Sequence, residues 1–340
     1  MRPLPELRLS LQHAAALLLA MLIGLSGCSL RPPAGATSTP PAPSPVLPTD
    51  TPAPLTPRVI LVAPAEGDPG VAQQVEAALV GLASAAQLEF VRQAALPDGS
   101  ASAIALLVAL PPDPGLQAWS QANPEVQAAG FGIPGLQPGA NLTVIAPEGL
   151  RYDQLGFALG YMAALTTPEY RIGALALDAL PQSLSLVRGF VAGGTYYCGL
   201  CRPLHPPYLA YPALLGSAPL DPAAEGISVL ILAPAPATAA EVGITASAGY
   251  ALMGVGEPSA QLAPLWLASA DFDVAGALAL LWERTQARAD GITLPLGICL
   301  HTIDGGRVSA GRLALTEQVI AELVAGRIDT GIDPVTGQPR

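Results

Sequence analysis

The stretch of residues 155–194 constrains the fold more than any other part of the chain, since it reads as helix, strand and helix in immediate succession. Its first segment carries small residues at helical spacing, which are Gly156, Gly160, Ala163 and Ala164. We therefore predict a helix with a smooth face, a short apolar strand over 171–177 and a second helix over 183–194. Such a unit is typical of α/β proteins, in which glycines let a helix lie close to its neighbours.

The remainder of the chain after residue 57 alternates strand and helix patterns in the same way. Continuous apolar runs are typical of parallel strands that are covered on both faces. We predict strands over 59–63, 103–110, 142–146, 227–233, 250–255 and 265–268, a short strand at Phe90, and helices over 71–86, 273–288 and 316–328. A tight turn at 304–307 is predicted to join 296–302 and 308–313 as a hairpin.

The central stretch resembles the middle of the basic membrane protein family of substrate-binding lipoproteins, whose purine-nucleoside receptors carry an AG-x-x-AA helix, a strand and a GF-x-AG helix. The residues that carry the resemblance are Gly160, Ala163, Ala164, Ile172, Gly173, Gly189, Phe190, Ala192 and Gly193. A common small-residue pattern of any doubly wound α/β protein is the alternative explanation. The resemblance implies an α/β, type I periplasmic-binding-protein-like fold, in which two Rossmann-like lobes with parallel sheets are joined by a three-stretch hinge.

Lobe boundaries follow from placing the three crossings of the chain that this fold requires. We expect the crossings near 147–151, 256–258 and 291–295. Lobe 1 would then contain 58–147 plus about 258–290, and lobe 2 would contain 148–257 plus about 291–330.

The first 57 residues have the order of an export signal followed by a tether. Arg2 and Arg8 precede an apolar run over 14–24 and then Leu-Ser-Gly-Cys, which resembles a bacterial lipobox. We predict a signal peptide over 1–27, lipidation of Cys28 and a Pro-rich tether over 28–57 that lacks the apolar residues to form a core. The protein is then expected on the extracytoplasmic face of the cell membrane, held by lipid.

Composition argues for a folded and acidic body. The chain is 51% hydrophobic and 12% charged, its formal net charge is −11, and it contains no lysine. An acidic surface is repelled by phosphate backbones, so we exclude nucleic acid as a partner.

Candidate ligand-binding residues are those that follow the strands, because ligands of open α/β sheets bind outside the carboxyl ends of the strands. Carboxylates are the commonest type there, and they could accept hydrogen bonds from a sugar or nucleoside. The candidates are Asp68, Asp178, Gly256, Glu257, Asp271 and Phe272. For each carboxylate the alternative is a solvated loop residue or a helix N-cap, and Asp68 before Pro69 and Gly70 suits a cap.

Departures from the resembled family lie at its ligand positions. The family's Asp-x-Ser-Phe-Asn stretch after the first strand is Gly67-Asp68-Pro69-Gly70-Val71 here, and its ribose-holding Gly-Val-Asp is Gly254-Val255-Gly256, with Glu257 one place late. The family's lysine is absent. A ligand other than a purine nucleoside, or a site that binds nothing small, therefore stays open.

Cys198 and Cys201 form a CxxC in a turn-rich loop, with His205 four residues further on. A structural disulfide, a redox pair and a zinc site that also uses Cys299 or His301 are the three interpretations, of which an exported location favours the disulfide. We find no nucleophile elbow or HExxH motif, and we predict no catalytic residues, no metal and no cofactor.

These patterns together predict a surface-anchored solute-binding lipoprotein of an ABC importer, which captures a small polar ligand between two lobes and delivers it to a separate permease complex. The alternative is a non-transport surface lipoprotein that uses the same fold as a sensor or interaction module.

Overall fold

A computed structural model describes residues 56–98, 103–167, 169–198, 211–215, 226–233 and 249–340. The predicted signal peptide, Cys28 and most of the predicted tether lie outside these residues. Within the described ranges, no helix combines the length and the apolar character that crossing a membrane requires.

Residues 58–145 build most of one sheet, with helices between its strands. Five of the six strands in this sheet come from these residues, and the sixth, β11 (Thr293–Leu294), comes from later in the chain. All pairings are parallel in the order β11-β5-β4-β3-β1-β2. The elements are β1 (Arg58–Val62), α1 (Pro69–Ala85), β2 (Glu89–Gln93), β3 (Ile104–Ala109), α2 (Leu116–Ala122), β4 (Gln127–Phe131) and β5 (Leu142–Ile145).

A second sheet follows, with the order β12-β10-β9-β8-β6-β7. Its pairings are parallel except that β12 runs antiparallel to β10. The elements are α3 (Tyr152–Thr166), β6 (Ile172–Ala176), α4 (Pro181–Cys198), β7 (Ala213–Leu215), β8 (Val229–Ala233), β9 (Ala251–Gly254) and β10 (Trp266–Phe272). The chain then continues through α5 (Val274–Gln286), β11 (Thr293–Leu294), β12 (Ile298–His301) and α6 (Ala310–Val324).

The predicted α/β architecture with parallel sheets is therefore confirmed. Strands β1, β3, β5 and β8 are buried along nearly their whole length, which explains their continuous apolar sequences. The strand β4 was not predicted, because its sequence Gln-Ala-Ala-Gly-Phe has small residues in place of branched ones.

In the part of the chain that the structure describes, the backbone passes between the sheets three times, and the second of these places differs from the expected one. Residues 146–151 lie between β5 and α3, as expected. The second passage follows Phe272, because β10 pairs with β9 in the second sheet, so the placement of 258–272 in lobe 1 is wrong. Gly256, with a φ of 76°, makes a turn inside the second lobe instead. The third passage falls between β11 in the first sheet and β12 in the second.

The predicted hairpin over 296–313 is also wrong in its second arm. Asp304 does accept the amide N–H of Gly306 in a tight turn at 2.9 Å. Residues after that turn form α6, because the Ser309 hydroxyl accepts the amide N–H of Arg312 and caps a helix.

Helices α3 and α4 touch backbone to backbone through four glycines, all within the helix–strand–helix unit predicted over 155–194. A Cβ atom on Gly156 would lie 1.9 Å from the Leu186 carbonyl oxygen, and one on Gly160 would lie 1.9 Å from that of Phe190. Added Cβ atoms on Gly189 and Gly193 would lie 2.1 and 2.0 Å from carbonyl oxygens of α3. No side chain larger than hydrogen fits between the helices as they lie.

Replacing Gly160 by Ala is expected to destabilise the protein. The added methyl group overlaps a backbone atom that cannot turn away, so the helices must separate, and overpacking of this kind costs about 1–3 kcal/mol or more. Chemical denaturation of the full chain measures the loss in the free energy of unfolding.

Gly81→Ala is the matched control, since Gly81 lies within α1 and an added Cβ meets no atom within 4 Å. This variant is expected to gain up to about 1 kcal/mol, because alanine is the better helix former. Equal effects of the two substitutions would contradict the close-packing explanation.

Candidate functional site

A cleft of about 540 Å³ opens between the two lobes at the carboxyl ends of the first sheet. The loop after β1 contributes Glu66 and Asp68 to one wall, and the amino end of α4 contributes Pro181 and Gln182 to the opposite wall. Residues 148–150 of the first passage and Tyr152 lie between these walls. Clefts of this size at the strand ends of α/β sheets are where small ligands bind.

Asp68 is both a helix cap and a bridge between the lobes. Its Oδ1 accepts the amide N–H groups of Gly70 at 2.8 Å and Val71 at 3.2 Å, which caps α1 as the sequence suggested. Its Oδ2 accepts the hydroxyl hydrogen of Tyr152 at 2.6 Å, from the first residue of α3. Both oxygens of this candidate are therefore already engaged.

Tyr152 was not predicted, although it connects two of the predicted residues. Its ring packs edge-on against Phe272 with the centroids 5.2 Å apart. Burial raises the pKa of the Tyr152 phenol far above its ordinary value, and the charges of Asp68 and Asp271 act in the same direction. The phenol therefore stays protonated and remains a donor to Asp68.

Phe272 is only 6% exposed and lies in the core, so in this structure its ring packs against Tyr152 and has little surface left for a ligand. Two other aromatic residues, Trp266 and Tyr196, do not line the cleft either. The Trp266 indole N–H donates to the Ser269 hydroxyl in the interior at 2.8 Å, and Tyr196 joins an exposed group of tyrosines on α3 and α4.

His301 contacts two of the predicted carboxylates, Asp271 and Glu257. Its Nε2 lies 2.8 Å from an Asp271 oxygen, and its Nδ1 lies 3.2 Å from a Glu257 oxygen. The Thr302 hydroxyl donates to the second oxygen of Glu257 at 2.8 Å. Nothing in the sequence indicated this cluster, because His301 is 30 residues from Asp271. The two residues come together only because β12 pairs with β10 at the edge of the second sheet.

Of the six predicted ligand-binding residues, Asp68 alone is among the described residues that line the cleft. Asp178 accepts the amide N–H of Leu180 at 3.0 Å in the turn before α4. The Gly256 carbonyl accepts the Ser269 hydroxyl at 2.7 Å. Both residues therefore have local structural roles in this structure.

Charge in the cleft is negative. Its lining includes the carboxylates of Glu66, Asp68 and Glu148 and, among described residues, no Lys, Arg or His. The guanidinium of Arg151, in the first passage, pairs with Glu148 at 2.7 Å and with the fully buried Asp153 through two hydrogen bonds of 2.8 and 2.7 Å. Its charge is thus already matched, and the cleft is suited to ligands without a net negative charge.

Of the two cysteines predicted to form a disulfide, Cys198 lies within the described residues and Cys201 does not. Cys198, the last residue of α4, is disulfide-bonded, while Cys201 lies outside the described residues and the pairing stays a prediction. Cys299 is free, and burial raises the pKa of its thiol, with Asp271 adding to the effect, which disfavours the reactive thiolate. In the described part of the chain, no three His, Cys, Asp or Glu side chains are grouped to hold a metal ion.

Comparison with known proteins supports the fold. No protein-family model matches the chain, and no curated protein matches it in sequence. An ABC transporter solute-binding protein from Conexibacter woesei DSM 14684 is similar in structure, with a TM-score of 0.55 and 17% identity over 80% of this chain and 98% of that one.

Two further solved structures are similar at lower TM-scores. A solute-binding protein of an ABC transporter system from Aeropyrum pernix K1 has 14% identity over 81% of this chain and 93% of its own, with a TM-score of 0.48. A LacI-family regulatory protein from Chloroflexus aggregans has 15% identity, 73% and 98% coverage and a TM-score of 0.43. The predicted type I periplasmic-binding-protein-like fold is confirmed, whereas membership of the basic membrane protein family stays a prediction.

Replacing Tyr152 by Phe is expected to lower the free energy of unfolding by about 1.5–3 kcal/mol, the usual worth of a hydrogen bond to a charged group. The ring contact with Phe272 remains, so the loss reports the bond to Asp68 alone. Chemical denaturation measures it, with Tyr197→Phe on the exposed group of tyrosines as the control. A loss at Tyr152 no larger than that at Tyr197 would show that the bridge contributes nothing to stability.

Proposed function

We propose that this chain is a surface-anchored solute-binding lipoprotein of an ABC importer, and that a small polar ligand binds in the cleft between the two lobes. The observation that carries the proposal is the cleft itself, which is lined by both lobes and by the first passage between them. A ligand that contacts both walls stabilises the closed arrangement by its higher affinity for it, and a permease complex would recognise that arrangement. The role is binding and not catalysis.

The charge of the cleft narrows the ligand. Glu66 is exposed at the cleft and no described residue pairs with its carboxylate, so it is available to accept hydrogen bonds from a hydroxyl or amino group. With no basic side chain in the described lining, the net negative charge of a phosphate ester such as AMP would be left without a partner. A neutral, donor-rich solute such as a nucleoside fits these groups, although the base-stacking aromatic residue of nucleoside receptors has no counterpart after β1.

A second function is favoured by one specific observation. Three of the four predicted ligand carboxylates already have side-chain partners within the protein, Asp68 in Tyr152, and Asp271 and Glu257 in His301. A non-transport lipoprotein that uses the fold as a sensor or interaction module would be expected to use up its ligand groups in this way.

A thermal-shift screen of the full chain with adenosine, D-ribose, L-leucine and AMP separates the two functions. A ligand at one hundred times its dissociation constant adds about 2.7 kcal/mol of stability, which raises the melting temperature by several degrees. We expect a shift with at least one of the first three compounds and none with AMP. No shift with any of the four would favour the interaction module.

Glu66→Gln tests the acceptor in the cleft. The substitution keeps the shape of the side chain but removes the charge, and the dissociation constant of a compound that shifts the wild type is expected to rise about ten-fold or more. Glu89→Gln is the matched control, because Glu89 is exposed on β2 and does not line the cleft. Equal affinities of the two variants would show that Glu66 does not contact the ligand.

Anchoring by lipid is tested independently. The Leu-Ser-Gly-Cys order predicts that Cys28 carries the lipid, so Cys28→Ser should move the protein from the membrane fraction to the soluble fraction after cell lysis. If Cys28→Ser protein with a cleaved signal still sediments with membranes, lipidation at this residue is wrong.

A further inference from the structure

Residues 329–340 form a hairpin that the sequence analysis did not assign to any function. The backbone of Asp333 donates to the Gln338 carbonyl and accepts from the Gly337 amide, each at 2.8 Å. The Asp333 carboxylate accepts the amide N–H groups of Val335 at 2.8 Å and Thr336 at 3.1 Å. These hydrogen bonds, that of Thr336 first, lower the pKa of Asp333, so the turn is held by a charged acceptor at neutral pH.

The base of this 329–340 hairpin is fixed to the second lobe. The Thr330 hydroxyl donates to the buried carboxylate of Asp153, and Arg188 of α4 donates to the Gly337 carbonyl at 2.5 Å. Gly337 lies so close to α4 that an added Cβ would be 2.7 Å from the Pro181 carbonyl oxygen. The hairpin is therefore attached to the second lobe at two separate residues, Thr330 and Gly337.

The tip of the hairpin reaches the ligand cleft. Pro334 and Val335 line the same cleft as Glu66. Val335 is 67% exposed, more than any other large hydrophobic side chain in the part of the chain that the structure describes. Covering an exposed apolar side chain with a ligand removes it from water, which favours binding. A rigidly held side chain loses little conformational entropy when the ligand binds.

We propose that the 329–340 hairpin forms an apolar wall of the cleft and that Val335 contacts the bound solute. The inference rests on the proposed function and adds the chemical class of the ligand. One side of that ligand carries hydrogen-bond donors, and the Glu66 carboxylate accepts their hydrogen bonds. The other side is an apolar face, which Pro334 and Val335 cover. Of the compounds screened above, adenosine and L-leucine have such a face, and D-ribose does not.

The experiment measures dissociation constants of adenosine, L-leucine and D-ribose by isothermal titration calorimetry for the full chain and two variants. Val335→Ala removes two methyl groups, and Val335→Thr keeps the shape while replacing one methyl group by a hydroxyl group. Both variants are expected to bind adenosine or L-leucine about three- to ten-fold more weakly, as the loss of apolar contact requires. Val335 is exposed, so the melting temperature of the free protein should stay unchanged.

Val80→Thr is the matched control, because Val80 is 44% exposed on α1 and does not line the cleft. Unchanged affinities of both Val335 variants, or an equal loss in Val80→Thr, would overturn the role of Val335 while leaving the proposed function in place. A wild-type chain that binds D-ribose alone would overturn the ligand class. A wild-type chain that binds none of the three would overturn the proposed function and this inference with it.

Discussion

The backbone contact between α3 and α4 is the constraint on which the ligand cleft depends. Four glycines bring the helix axes closer than any side chain would allow, and hydrogen is the only substituent that fits at these positions. The amino ends of both helices then point to the space between the lobes, where Tyr152 begins α3 and Pro181 begins α4. Close packing thus sets the geometry of two sides of the cleft.

Tyr152 is where this packing meets the first lobe. Its hydroxyl reaches Asp68 at the amino end of α1, and its ring reaches Phe272 at the end of β10. The first passage between the sheets ends at Tyr152, and the second begins after Phe272. The contact between the two rings therefore lies at the hinge. A hydrogen bond there stabilises the lobe arrangement seen in this structure.

The carboxylates near the cleft divide into two groups with different chemistry. Asp68, Asp271 and Glu257 have partners inside the protein, whereas Glu66 has none among the described residues. Glu66 follows β1, so the rule that ligands bind beyond strand ends points to it as well as to the first group, although only the first group was predicted to bind a ligand. The rule identifies positions along the chain. Whether a carboxylate there is free to bind a ligand depends on whether a side chain from another element already pairs with it.

Local pattern determined the α/β class, the helix–strand–helix unit at 155–194 and the cap at Asp68, because periodicity and capping act over a few residues. It misplaced the second passage, since the Gly256 turn and a true crossing look alike in sequence. Tertiary structure alone brought Tyr152 to Asp68, 84 residues away, and His301 to Asp271, 30 residues away. It also placed Val335 at the cleft. Contacts between distant residues depend on how the two sheets and their helices pack, and no local pattern contains that information.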